Sequence, residues 1–183
     1  MKKIELPLGK KETALLKAGD RVLLSGTIYT ARDAAHKRMV QGRGYRGKGT
    51  GSRVKRLPFD IKDQVIYYAG PSPAAPGMVI GSCGPTTSSR MDAYTPGLLG
   101  LGLGGMIGKG SRSREVISAV KKYGAVYFIA IGGAGAFYSE KIISAKIIAY
   151  RDLGPEAIYK LEIENFPVIV GIDSRGRKIG SRR

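Results

Sequence analysis

The sequence holds one cysteine and one histidine. A single thiol excludes an internal disulfide framework. A lone cysteine with a lone histidine also excludes a closed zinc site, or an iron–sulfur site built by this chain alone, so no metal ligands are assigned. No apolar run approaches the twenty residues that a membrane-spanning helix needs. Met1-Lys2-Lys3 has the charge that opens a secretion signal, but Glu5, Pro7, Lys10 and Lys11 arrive before any apolar stretch forms. The expectation is a soluble, cytoplasmic protein. With 183 residues, the chain is long enough for one well-buried core and too short for two comfortable domains, so residues 1–183 read as a single domain.

Acidic residues are scarce: 14 Asp and Glu stand against 31 Lys and Arg, a net charge of +17. Such an excess is a signature of nucleic-acid binding, but its distribution argues otherwise. Residues 37–56 carry eight of the cations and residues 174–183 carry five, with no acid in either, which leaves 18 cations against 14 acids and a body at +4. The glycine-and-cation alternation from Gly42 to Arg53 reads as a basic flexible loop, and residues 174–183 as a basic tail. Both could hold phosphates or face an acidic partner subunit. No base-stacking aromatic pattern accompanies the charge, which argues against nucleic acid.

What the chain has in quantity is short apolar segments separated by turn residues, 27 of them glycine. Leu6–Leu16 reads as a lead-in, part extended and part helical, before a turn at Ala18-Gly19-Asp20. Strands are expected at Arg21–Tyr29, Gln64–Ala69, Met78–Ser82, Leu103–Ile107, Ala125–Ile131, Lys141–Tyr150, Lys160–Ile163 and Phe166–Ile172. Ser111 or Ser113 is placed to cap a helix from about Arg114 to Tyr123. Thr30-Ala31-Arg32-Asp33 fits a capping box that opens another. Strands alternating with helices of about ten residues predict an α/β domain with a mixed sheet and flanking helices.

Two glycine motifs invite nucleotide-binding readings that fail. Gly100, Gly102 and Gly105 match the dinucleotide fingerprint, yet no clear strand precedes them, no helix opens on them, and no acid follows at ribose distance. Gly108-Lys109 resembles the end of a phosphate loop, but Leu103 stands where its first glycine belongs and Gly110 where a Ser or Thr should meet magnesium.

The stretch Gly84-Pro85-Thr86-Thr87-Ser88-Ser89-Arg90-Met91-Asp92 concentrates hydroxyls and one arginine after an apolar segment. With Gly84 as N-cap and Pro85 first in a helix, Thr86 and Arg90 fall four apart on one face, beside free N–H groups that favour an anion. Arg32 and His36 are likewise four apart at the start of the preceding helix, where a fixed cation would bias the imidazole toward its neutral, proton-accepting form. Lys109 sits before a third predicted helix start. Arg32, Arg90 and Lys109 therefore form a candidate set of carboxylate clamps, the competing reading of Arg90 being a structural salt bridge to Asp92 or Asp33.

Thr27–Arg38, Val65–Pro71, Gly84–Asp92, Gly108–Gly110 and Phe166–Asp173 together resemble, in order over nearly the whole chain, the β subunit or C-terminal domain of the iron–sulfur hydro-lyases that comprise class I fumarase and tartrate dehydratase. The resemblance implies a swivelling β/β/α domain that closes on a separate α subunit whose cysteines hold a four-iron, four-sulfur cluster. It implies reversible hydration of fumarate to L-malate, or dehydration of L-tartrate, only in a complex such as α2β2. It further implies that Thr86 and His36 serve in proton transfer. On the residues' own chemistry, Arg90 is placed to lower the pKa of the Thr86 hydroxyl, and Arg32, Thr86, Arg90 and Lys109 are expected to bind the C4 dicarboxylate. The loop at 42–53 is longer and more basic than that family's pattern. A basic RNA-binding protein and a regulatory or scaffold domain without its catalytic partner are the competing readings.

Overall fold

The computed structural model describes residues 1–41 and 57–180, so the basic loop at 42–53 and the last three residues of the tail lie outside the described residues. Seven strands are described: β1 (Lys2–Glu5), β2 (Arg21–Thr30), β3 (Val65–Tyr67), β4 (Gly105–Gly108), β5 (Val126–Ile129), β6 (Ile142–Ala149) and β7 (Ile158–Ile172). The helices are α1 (Lys10–Leu15), α2 (Asp33–Gln41), α3 (Thr95–Leu99), α4 (Arg114–Tyr123) and α5 (Gly135–Ser139), with 3-10 turns at Ser88–Met91 and Arg151–Glu156.

The two longest strands close the sheet on itself. β2 runs antiparallel to β7 from Arg21↔Ile169 to Tyr29↔Lys160, while its other edge holds β1 along its first half and β3 at its end. β3, β4 and β5 follow in parallel, and β5 returns to β7. The result is a barrel-like ring β2-β3-β4-β5-β7, with β1 and β6 as outer additions.

Alternation decides which side chains face into this ring. Val22, Leu24 and Ile28 of β2 meet Val65, Ile107, Phe128, Leu161, Phe166 and Val170 in one buried cluster. The pairing of the ten-residue β2 with the fifteen-residue β7 carries one irregularity. The pairing register slips between Leu24 and Gly26, where Gly26 adopts φ 110°. Opposite it Asn165 adopts φ 49° and its N–H donates to Ser25 Oγ (3.1 Å). The paired irregularity bends the strands and keeps both halves of β7 facing inward. The expected strands Lys160–Ile163 and Phe166–Ile172 are therefore one strand with a kink.

A second apolar cluster covers the outside of the parallel strands. Ala35 and Met39 of α2, Leu98 and Leu99 of α3, and Val116 and Val120 of α4 pack on Ile66, Met106, Tyr127 and Ile172. Helix α4 runs over the predicted residues: Ser113 Oγ accepts from Val116 N–H (3.3 Å), and Gly124 ends the helix in the left-handed conformation.

Three further sequence expectations are corrected. Residues 78–82 form no strand; Pro71, Pro73 and Pro76 leave the neighbouring backbone short of donors, and Ser72 N–H instead donates to Ser82 O within one folded loop, with Met78 and Val79 exposed. Thr30 does not cap α2. It ends β2, fully buried, where its hydroxyl donates to Ala157 O and accepts from Tyr159 N–H. The cap comes from 122 residues away, as Glu156 Oε2 accepts from Ala34 N–H (2.7 Å). Pro85 opens no helix, because Pro85 bridges Ala69 and Thr86 N–H is bonded to Tyr68 O, so the segment is held extended until Ser88.

Candidate active site

The predicted residues gather at the carboxyl ends of the parallel strands, the rim where α/β proteins place their ligands. Arg32 follows β2, Gly70 follows β3, Lys109 follows β4 and Gly132 follows β5. The segment 84–91 is stitched across this rim. Thr86 N–H donates to Tyr68 O, Lys109 N–H donates to Thr86 O (3.2 Å), and Ser88 N–H donates to Lys109 O (2.9 Å). Thr86 is thus fixed between the ends of β3 and β4 by its backbone alone.

Close packing sets the cations. A Cβ on Gly70 would lie 3.0 Å from both Cδ and Nη1 of Arg32, and one on Gly132 would lie 3.3 Å from Lys109 Cδ. Both glycines leave the room these side chains occupy. Arg32 Nη2 lies 3.7 Å from Glu156 Oε1, and Arg32 Nε lies 4.0 Å from Asp33 Oδ2. Arg90, half exposed, donates from Nε to Asp33 Oδ1 (2.8 Å) and sets Nη2 2.8 Å from Oδ2, an ion pair outside hydrogen-bond geometry. Asp92, an alternative partner for Arg90, is engaged elsewhere. Thr86 and Arg90 do not share a helix face, since only a four-residue 3-10 turn forms there. At the start of α4, beyond the Lys109 turn, Ser113 N–H donates to Asp92 Oδ2 and Val116 N–H donates to Ser113 Oγ.

His36 lies behind this rim rather than on it. It is wholly buried, with Nδ1 2.9 Å from Arg32 O and its ring edge-on to Tyr68 at 5.2 Å. A carbonyl only accepts, so Nδ1 carries the proton, and the buried Nε2 is an acceptor without a partner. Burial pushes its pKa down to about 4, with Arg112 adding a smaller repulsion. The imidazole is neutral, as expected beside a cation, but burial is the main cause and the cation is Arg112, not Arg32.

Arg112 was not legible as a functional residue. Its side chain is completely enclosed, with Nε 2.7 Å from Asp92 Oδ1, Nη2 donating to Thr95 Oγ1 (2.7 Å), Nη1 donating to Tyr68 Oη (3.3 Å), and the guanidinium over the Tyr68 and Tyr127 rings. Tyr127 Oη donates to Gly110 O and meets Ser88 Oγ at 2.9 Å. This network props the 3-10 turn and the Lys109 turn from below. Gly108 leaves its space: a Cβ there would collide with Ser88 Oγ. One faint sequence signal existed, an acid at the end of the hydroxyl-rich stretch and an arginine just before a helix cap.

The described residues offer no set for an iron–sulfur cluster. No three of His, Cys, Asp and Glu come together among them, and burial pushes the Cys83 thiol up to about 12, so it is not a thiolate. The candidate site is one of cations and hydroxyls, suited to a small polyanion. No described helix is long and apolar enough to cross a membrane.

The sequence profile of the family described as "Fumarase C-terminus" matches residues 1–182. The chain belongs to that family. Among members, it is 43% identical over 159 residues to "Fumarate hydratase class I, aerobic" of Escherichia coli (strain K12), covering 85% of this chain and 27% of that protein. It is 40% identical over 160 residues to "Fumarate hydratase 1, mitochondrial" of Leishmania major, covering 85% and 27%. To "Putative L(+)-tartrate dehydratase subunit beta" of Methanocaldococcus jannaschii it is 38% identical over 178 residues, 94% of this chain and 87% of that protein. The chain thus spans about a quarter of the length of these two fumarate hydratases, and most of the length of the dehydratase subunit.

Proposed function

We propose that this fumarase C-terminus domain is the β-type part of an iron–sulfur hydro-lyase that hydrates fumarate to L-malate reversibly in complex with an α-type partner. The observation that carries the reading is the convergence of Arg32, Arg90, Lys109 and Thr86 at one end of the parallel strands. A C4 dicarboxylate brings two negative charges, and two guanidinium groups with one ammonium answer them. In this reading Arg32 and Arg90 hold carboxylates, Lys109 supplies the third cation, and the Thr86 hydroxyl, held by its backbone, moves the proton at the carbon next to the departing hydroxyl. His36 acts behind it: its ring and its N–H both bond Arg32 O, so it positions the peptide from which Arg32 projects.

The cluster belongs to the partner in this proposal, because the described residues have no ligands for it. The domain would swivel onto that partner as a β/β/α unit. Support for the docking face comes from exposed Ile131 and Phe137. They flank Gly132, where a Cβ would lie 3.3 Å from Lys109 Cδ, and Gly135, whose carbonyl accepts from Cys83 N–H. A higher assembly such as α2β2 and a cytoplasmic setting are part of the same reading. Dehydration of L-tartrate is the second reading, favoured by the long match to the Methanocaldococcus jannaschii subunit.

The test is co-production with an α-type chain of this family, anaerobic cluster reconstitution, and assay of the complex with fumarate and with L-tartrate. Turnover of fumarate by the complex, and none by the chain alone, supports the proposal; turnover of L-tartrate and not fumarate selects the second reading. Turnover by the chain alone, or of neither substrate by a cluster-loaded complex, overturns it.

A further inference from the structure

Asp33 occupies an unusual position for an acid in a site that recognises acids. It opens α2, where the helix N-terminus favours its charge, and it faces two guanidinium groups from different parts of the chain. Its Oδ2 is buried without a hydrogen bond, 2.8 Å from Arg90 Nη2 and 4.0 Å from Arg32 Nε, itself a buried donor without a partner. Its Oδ1 accepts from Arg90 Nε. Arg90 is therefore gripped along the edge formed by Nε and Nη2. A guanidinium has a second edge, formed by Nη1 and Nη2, and no protein group takes Nη1 among the described residues.

We propose that Asp33 is a positioning residue: a shared counter-ion that spaces Arg32 from Arg90 and turns the free edge of Arg90 toward the substrate carboxylate. The inference rests on the hydro-lyase reading above. Stability alone does not account for the pair, because an ion pair with both side chains partly exposed contributes little to folding. Orientation does account for it. Arg90 sits on a short 3-10 turn with a flexible side chain, and Asp33 fixes the plane of its fork before any ligand arrives.

A competing role has the opposite sign. If Asp33 merely screens the site, removing its charge leaves the pocket more positive and a dianionic substrate binds more tightly. If it positions the clamps, the same change weakens binding. Steady-state kinetics of the reconstituted complex separates these with D33N, D33E, R90K and D33N/R90K. The expected result for D33N is a KM raised about tenfold, with kcat changed far less, since the clamp holds substrate and transition state alike. D33E recovers part of the loss. D33N/R90K is no worse than R90K, because both changes remove one interaction. A KM for D33N that is unchanged or lower, or losses that multiply in the double variant, overturns the proposal while wild-type turnover leaves the hydro-lyase reading intact. Absence of turnover by the wild-type complex removes both.

Discussion

Gly70 gives Arg32 its place. Gly70, three residues beyond the end of β3, approaches the Arg32 side chain so closely that a Cβ would lie 3.0 Å from Cδ and Nη1 and 2.9 Å from Pro155 O. One methyl group would push on a flexible cation on one side and on rigid backbone on the other. Gly70→Ala is therefore expected to lower catalytic efficiency of the complex at least tenfold by displacing Arg32, with an overpacking cost of about 1–3 kcal/mol. Kinetics and denaturant unfolding of the same variant check it, and unchanged kinetics would show that Arg32 needs no such space.

His36 makes stability depend on pH in a defined window. Its folded pKa is held down to about 4 by burial, against an ordinary value of 6.5. The unfolded chain takes up the proton near 6.5 and the folded chain only near 4. Stability present above that range is therefore lost as pH falls from 6.5 toward 4, by about 3 kcal/mol from this residue. His36→Asn removes the titration while keeping a donor for Arg32 O. The stability gap between wild type and variant should narrow across that window; parallel curves would assign the acid sensitivity elsewhere.

The buried Arg112–Asp92 pair is expected to be costly to break. Removing one partner strands a charge in the apolar layer under the site, so Asp92→Asn should cost about 3–5 kcal/mol. It should also loosen the turn bearing Arg90. Chemical denaturation measures the first effect. Hydrogen exchange at Ser88 N–H and Lys109 N–H measures the second, and unaltered protection would detach the network from the site.

Much of the architecture was legible because it is local. Helix α4 and its Ser113 cap follow from spacing and a serine, and most strands fall on their apolar runs. Arg32, Thr86 and Lys109 are singled out by motif and chemistry, and the backbone sets them at neighbouring strand ends. What was not legible depends on partners far along the chain. Thr30 looked like a cap until β7 claimed its hydroxyl, Glu156 capped α2 from 122 residues away, and Pro85 looked helical until strand ends on both sides held it extended. Arg112 reads as a surface cation in any window of sequence, and only Asp92, Thr95 and two tyrosine rings make its burial tolerable.

The proposed docking face is tested by placing charge on it. Ile131→Asp with Phe137→Asp should weaken association with the α-type partner without changing the melt of the chain alone, because both side chains are exposed. Analytical ultracentrifugation of the mixed chains gives the answer, and undiminished complex formation would move the interface elsewhere.

The central claim is that part of the chemistry resides on this chain, and the kcat of the reconstituted complex carrying Thr86→Val tests it most directly. Valine keeps the shape and the backbone bonds of Thr86 and removes only the hydroxyl. A fall in kcat of about 10²–10⁴-fold, with intact assembly and cluster, is the predicted result. Turnover within threefold of wild type would contradict it.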